Sequence, residues 1–235
     1  MEIAVTGATG RLGSVLFEKR PDLKPLLYDL TTPYWMHPEV FFKGVSTVIH
    51  CAAFTDVCAA EENPYKAYML NIVGTYNLYR KCKKYGIKLI TISTDHIFDG
   101  EKGSYSETDK PNPIGVYAET KKIAEDITLL DENNLVIRTS FIKGFDLPKA
   151  FSDKYFSGDT VDIIADEILK AVDMDLTGVW NIATERKTIY DVANKINPKV
   201  RKMKLSDNPI NKVGLRYLKD VSLDISKWKK KKGEL

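Results

Sequence analysis

Tyr117 and Lys121 stand four residues apart in "VYAETKKIAE", a stretch made almost entirely of good helix formers. On a helix this spacing brings two side chains to within about 5 to 6 Å of each other. A phenol beside an ammonium group can act as a proton-transfer pair. Free tyrosine titrates near 10, and a cation within about 4 to 6 Å favours the phenolate and draws that value toward neutral pH. The same spacing also occurs on any amphipathic helix, and on its own the pair is more often an ordinary surface feature.

A second stretch carries its own chemistry. "TGATGRLG" places Gly7, Gly10 and Gly13 directly after an apolar, β-branched run and at the start of a helical stretch, with Arg11 and Leu12 inside the loop. Glycines there permit a tight turn and a close backbone approach, and the helix N-terminus that follows favours a pyrophosphate. A bare strand-to-helix turn is the alternative. The next predicted strand, "KPLLYDL", ends in Asp29, where a carboxylate can accept hydrogen bonds from a ribose hydroxyl. Such a carboxylate favours NADH and repels the 2′-phosphate of NADPH, a repulsion that Arg11 would partly offset. Asp29 also suits a turn or cap leading into "LTTPYW".

These residues need a scaffold that brings a glycine turn and a helix start to the same edge of a sheet. Short β-branched runs alternate with amphipathic stretches of helix length, the pattern of a parallel sheet with crossover helices. Strands are predicted at "EIAVTG", "KPLLYDL", "VSTVIHCA", "IKLITISTD", "LVIRTS" and "GVWNIAT", with helices near 11–19, 64–84, 115–130, 161–172 and 188–196. The expected fold class is α/β, a doubly wound parallel sheet of the Rossmann type. Residues 1–145 read as the dinucleotide-binding domain. Residues 146–235 read as a small lobe packed onto the sheet, with a strand near 179–183 and a basic C-terminal tail. The long polar loop "HIFDGEKGSYSETDKPNPIG" joins a predicted central strand to the helix of Tyr117, and loops of that length in compact domains are usually functional.

Composition excludes several classes. The chain has 235 residues, 43% hydrophobic and 29% charged, an ordinary globular balance. Its longest apolar runs fall far short of the roughly 20 residues that span a bilayer, so no membrane association is expected and the cytoplasm is the expected location. The formal charge of +3 is concentrated in "KWKKKKGEL", and the remaining chain is close to neutral, so no nucleic-acid partner is expected. Three cysteines without CxxC spacing and three histidines argue against a disulfide framework or a metal site. Cys51 and Cys82 read as core thiols.

Taken together, "TGATGRLG", "LITISTDHIFDG" and "VYAETK" resemble the extended short-chain dehydrogenase/reductase superfamily. "CAAFTDVCAAEENPYKAYMLNIVGTYNL", "STDHIFDG", "ETDKPNP", "VIRTSFIKG" and "DVSLDISK" make the sequence most similar to the dTDP-4-dehydrorhamnose reductase family. This resemblance implies that Tyr117 donates a proton to a carbonyl oxygen, that Lys121 supports it and binds the nicotinamide ribose, and that Thr94 orients the substrate. It places Cys51, Ala52, Ala53 and Thr55 beside the cofactor, and Asp95, His96, Phe141 and Arg216 beside the substrate. Asn71 falls where relatives support a proton relay, though a plain polar helix residue fits equally. His96 stands in place of an aromatic and Phe141 in place of a tryptophan. The chain is also shorter than most relatives between "IKG" and "TVDIIADEI".

The resemblance implies NADH-dependent reduction of a nucleotide-linked 4-keto-6-deoxy sugar, a step in deoxysugar and polysaccharide precursor synthesis, with NADPH as the second cofactor and a homodimer as a compatible assembly. Two alternatives stay open. One is a combined 3,5-epimerase/4-reductase, for which Cys58 and His96 are the available second acid/base groups. The other is a non-catalytic regulatory subunit that retains the cofactor site.

Overall fold

The β-branched runs EIAVT, VSTVIH, KLITIST and LVIRT form four neighbouring strands in the computed structural model, which describes all residues except Met1, Pro209 and Asn211. The first half of the chain runs β1 (Glu2–Thr6), α1 (Arg11–Lys19), β2 (Lys24–Leu26), β3 (Val45–His50), α2 (Val57–Glu62), α3 (Pro64–Ala67), a π-helical turn over Tyr68–Gly74, α4 (Thr75–Tyr85), β4 (Lys88–Thr94), α5 (Val116–Thr128) and β5 (Leu135–Thr139). The second half runs β6 (Phe141–Ile142), β7 (Lys149–Phe151), β8 (Tyr155–Phe156), β9 (Asp159–Thr160), α6 (Val161–Asp173), β10 (Gly178–Asn181), β11 (Lys187–Thr188), α7 (Ile189–Ile196), β12 (Arg201–Met203) and α8 (Ser226–Lys232).

Six strands pair in parallel in the order β10-β5-β4-β3-β1-β2, and they include all six strands predicted from the sequence. The order reverses at β1, with β2 on one side and β3 on the other, which opens a crevice at the strands' C-terminal ends. Alternate residues of each strand feed opposite layers. Val5, Ile49 and Ile90 join α1 and α6 on one face, while Ala4, Val48 and Leu89 pack with α4 on the other. Cys82 is buried in the second layer.

Four expectations differ in detail. The second strand stops at Leu26, well before Asp29, because Leu27 is exposed and Tyr28 turns in to pack against His37, Phe41 and Phe42. The helix predicted at 64–84 is helical throughout, but it contains the π-helical turn and is preceded by the separate helix α2. The strand near 179–183 is β10, the sheet's edge, and α6 packs on α1, so residues 161–181 return to the sheet layers.

The fourth difference is the lysine-rich end, which forms α8 where a basic tail was expected. Trp228 is fully buried and its indole donates to Glu167 Oε2 at 2.7 Å. Lys232 reaches the same oxygen at 2.8 Å, and Lys227 donates to Val179 O on the edge strand at 2.8 Å. Lysine stems cover apolar surface while their charges find partners, so this run packs in spite of its charge. The remaining short strands pair as β6–β9, β7–β12 and β8–β11, and with α7 they build the smaller lobe around Phe156, Val192, Leu218 and Val221. Among the described residues no helix is long and apolar enough to cross a membrane.

Candidate active site

The glycine loop begins where β1 ends. Gly7 has a φ of 68°, and its carbonyl accepts from Gly10 N at 2.9 Å. A Cβ on Gly7 would lie 2.7 Å from Ala52 N, and one on Gly13 would lie 2.1 Å from Gly7 O, so only glycine allows β1, β3 and α1 to meet this closely. No side chain caps α1, which leaves its first amides facing the loop. Arg11 donates to Thr55 Oγ1 at 2.9 Å. A cavity of about 450 Å³ opens here, lined on this side by Gly7, Gly10, Arg11, Leu12 and Gly13 and, beyond β3, by Cys51, Ala52, Ala53 and Thr55. Cys51 is half-buried against the cavity and not sealed in the core, and burial pushes its thiol up to about 12. The cradle fits a dinucleotide pyrophosphate, which needs close backbone approach and free amides.

Thr94, Asp95, His96, Tyr117, Lys121 and Phe141 line the other side of the same cavity. The long loop delivers α5 to this place through its own bonds. Asp99 accepts from Tyr105 Oη at 2.6 Å and Asn112 Nδ2 at 2.9 Å, and Phe98 stacks on Tyr105. Glu61 of α2 then accepts from Val116 N at 2.6 Å, capping α5 one residue before Tyr117. Gly115, with a φ of 88°, leaves room for that carboxylate.

Burial pushes the Tyr117 hydroxyl up to about 12, against a hydrogen bond with Thr94 and the charge of Arg11. This corrects the expectation that Lys121 draws the tyrosine toward neutral pH. Desolvation outweighs the Thr94 hydrogen bond and the Arg11 charge, and the Lys121 ammonium instead donates to Ile92 O at 2.7 Å. Lys121 is itself held down to about 8 by burial, opposed by Glu125 one turn further on and by Cys51. Glu125 is fixed by Ser93 Oγ at 2.6 Å and by Arg138 at 2.9 Å, a buried ion pair that ties α5 to β5.

Asn71 lies in the π-helical turn. Its side chain accepts from Phe54 N at 2.7 Å and donates to Phe54 O at 3.0 Å and Thr120 Oγ1 at 2.9 Å, clamping the segment after β3 to α5. Behind it Thr75 donates to Asn71 O at 2.7 Å, so His50 must donate through Nε2 to Thr75 and accept through Nδ1 from Thr6. Thr94 accepts from His96 N at 3.2 Å and donates to Asp95 at 3.2 Å. Asp95 is buried, and burial raises its carboxyl to about 6, opposed first by a hydrogen bond with Ser140. The His96 ring stands 6.1 Å from that of Tyr117, and burial followed by the charge of Lys154 holds its imidazole down to about 3. A histidine that weakly basic is poorly suited to acid/base work near neutral pH.

Besides Asn71, three predicted residues stand outside this cavity: Asp29, Arg216 and Cys58, the last on the wall of a smaller cavity beside it. Asp29 is exposed in a turn, its Oδ1 accepting from Thr31 N at 2.9 Å and Thr31 Oγ1 at 2.7 Å, and those bonds lower its pKa. Arg216 lines a smaller adjoining cavity and is paired with Glu101. Glu61, Glu125 and Lys154 carried no signal in the sequence beyond the i,i+4 spacing of Lys121 and Glu125.

A family model described as "RmlD substrate binding domain" matches residues 1–171. The dTDP-4-dehydrorhamnose reductase of Mycobacterium tuberculosis is 36% identical over 151 residues, 60% of this chain and 50% of that protein. The probable low-salt glycan biosynthesis reductase Agl14 of Haloferax volcanii is 30% identical over 233 residues, 82% of this chain and 78% of that protein. Methionine adenosyltransferase 2 subunit beta of Bos taurus is 31% identical over 149 residues, 57% of this chain and 43% of that protein. Among solved structures, a hypothetical dTDP-4-dehydrorhamnose reductase from Sulfolobus tokodaii superposes with a TM-score of 0.83 at 29% identity, covering 98% of this chain and 94% of that one. The chain spans 50% to 60% of the length of the first curated reductases it matches.

Proposed function

Because the chain belongs to the RmlD substrate binding domain family, we propose that it is a nicotinamide-dependent reductase of the 4-keto group of a nucleotide-linked 4-keto-6-deoxy sugar. One observation carries this reading: a single cavity joins the pyrophosphate cradle of Gly7, Gly10 and Gly13 to Thr94, Tyr117 and Lys121. The cofactor would be held by the α1 amides, Arg11 and Lys121, and when bound its reduced nicotinamide supplies hydride to the carbonyl carbon. Thr94 holds the carbonyl oxygen. Tyr117 keeps its proton at neutral pH because burial raises its pKa, and it passes that proton to the oxygen, which becomes a far stronger base than phenolate as it gains charge. Lys121 stabilises the phenolate left behind, and Glu125 helps keep Lys121 charged.

The preference for NADH rests on Asp29. Its hydrogen bonds keep it ionised at neutral pH, so it would repel a 2′-phosphate, while Arg11 is engaged with Thr55. Calorimetric titration with both cofactors tests this, and tighter NADPH binding would overturn the assignment. The similarity to the methionine adenosyltransferase subunit favours a second reading, a regulatory subunit that binds cofactor without turnover. Incubation with NADH and a panel of nucleotide 4-keto sugars separates the two. Loss of reduced-cofactor absorbance with formation of a 4-hydroxy sugar supports the reductase, and its stereochemistry at C3 and C5 reports any epimerase activity. NADH binding with no turnover of any member supports the regulatory subunit.

A further inference from the structure

His96 and Val57 line both the main cavity and the smaller one of about 160 Å³, so the two adjoin at the His96 side chain. Lys154, Arg216 and Tyr217 line the far side of the smaller cavity, and none of the described residues lining it is acidic. Lys154 is placed firmly: its carbonyl accepts from Ile189 N at 3.0 Å, and the next residue, Tyr155, donates to Lys219 O at 2.8 Å. Its ammonium lies 5.2 Å from the centre of the Tyr217 ring. Among the described residues that ammonium has no hydrogen-bond acceptor, and burial holds its pKa below the ordinary lysine value, opposed by the charge of Asp95. A half-buried cation without an acceptor carries a desolvation penalty that a bound anion would offset.

We infer that Lys154 is the principal diphosphate-binding residue of the smaller lobe, acting with Arg216 on the two negative charges of a nucleotide-sugar bridge. This rests on the nucleotide-sugar reading above. The order of groups matches the shape of such a substrate. In a pyranose, C1, which carries the diphosphate, lies across the ring from C4. With the C4 carbonyl at Tyr117, the bridge leaves on the opposite side of the ring, toward His96 and the smaller cavity. A volume of about 160 Å³ suits a diphosphate but not a whole nucleotide, which places the nucleoside at the cavity mouth near Tyr217. Lys154 outranks Arg216 because Arg216 is 53% exposed and already engaged by Glu101, and exposed pairs contribute little. A lysine serves here as a point charge.

The test is calorimetric titration of uridine and thymidine diphosphates into NADH-saturated wild-type protein and the Lys154→Gln, Lys154→Arg and Arg216→Gln variants. NADH affinity and thermal melting of each variant check that it is folded. Lys154→Gln should weaken nucleoside diphosphate binding roughly tenfold to a hundredfold, the usual effect of losing a charge-assisted bond. It should also flatten the dependence of affinity on salt, which loss of packing alone would not do. Lys154→Arg should restore most of the affinity, and Arg216→Gln should lose less than Lys154→Gln. If wild-type protein binds the diphosphates and Lys154→Gln binds them equally well, the role of Lys154 is refuted while the substrate reading stands. If wild-type protein binds NADH but neither diphosphate at millimolar concentration, the substrate reading falls and this inference falls with it.

Discussion

Replacing Gly13 by alanine sets a gain in helix propensity against a clash in the phosphate loop. Alanine is favoured over glycine within a helix by about 0.8 to 1.0 kcal/mol, so on propensity alone α1 should become more stable. The added methyl, however, would sit 2.1 Å from Gly7 O, whereas Cβ atoms essentially never approach closer than 3.0 Å. The Gly7 carbonyl must therefore retreat by about 0.9 Å. It has little room, because Gly7 is already in tight backbone contact with Ala52, and the same carbonyl holds Gly10 N at 2.9 Å. Overpacking of this kind typically costs about 1 to 3 kcal/mol, and a lost hydrogen bond about 0.5 to 1.5 kcal/mol. Set against the helix gain, the net expectation is a destabilisation of about 0.5 to 4 kcal/mol. Displacing the loop also moves the amides that face the pyrophosphate, so NADH affinity should fall at least about tenfold. Denaturant unfolding and a fluorescence titration with NADH measure the two effects. A variant that is more stable and binds NADH as well as wild type would show that the loop does not need this close approach.

Three further outcomes are expected. Tyr117→Phe should lower turnover by about 10² to 10⁴ with NADH affinity nearly unchanged, since only the acidic hydroxyl is lost, and a drop of less than about tenfold in steady-state rate would mean another group donates the proton. Lys121, held at about 8 against an unfolded value of 10.5, makes turnover decline above about pH 8 as its cation is lost. In the same window the unfolded chain binds more protons than the native one, so this residue's contribution to stability rises with pH from about 8 to 10.5. Unfolding curves of wild type and Lys121→Met across that range should differ by this rise, and parallel curves would contradict it. Trp228→Ala should destabilise the protein by about 3 to 5 kcal/mol, because it empties a fully buried indole site, and a loss below about 1 kcal/mol on denaturation would mean α8 is only loosely attached.

The strands of the sheet were legible because burial on both faces leaves a mark in the chain itself, a run of β-branched apolar residues bounded by turn formers. The glycine loop and the Tyr117–Lys121 pair were legible for a similar reason, since each is a local spacing whose geometry follows from the element it sits on. The misreadings share a different cause. The π-helical turn around Asn71 adds one residue to a helical winding and leaves no periodic trace. The lysine run at the C-terminus was judged by its charge, yet Trp228 and the partners Glu167 and Val179, brought from distant parts of the chain, make it a packed helix. The second strand was read through to Asp29, but Tyr28 folds inward and the strand ends at Leu26, which leaves the carboxylate exposed in an Asx turn.

Protonation was the least legible property. The sequence shows a tyrosine near a lysine, but whether the phenol titrates below or above its free value depends on how deeply the fold buries it. Here desolvation is the largest effect on both groups, leaving Tyr117 protonated and Lys121 near its titration point at the same site. Spacing along a chain records which groups can be neighbours. How much water remains between them is set by segments far away in sequence, and that decides which of the neighbours carries the charge.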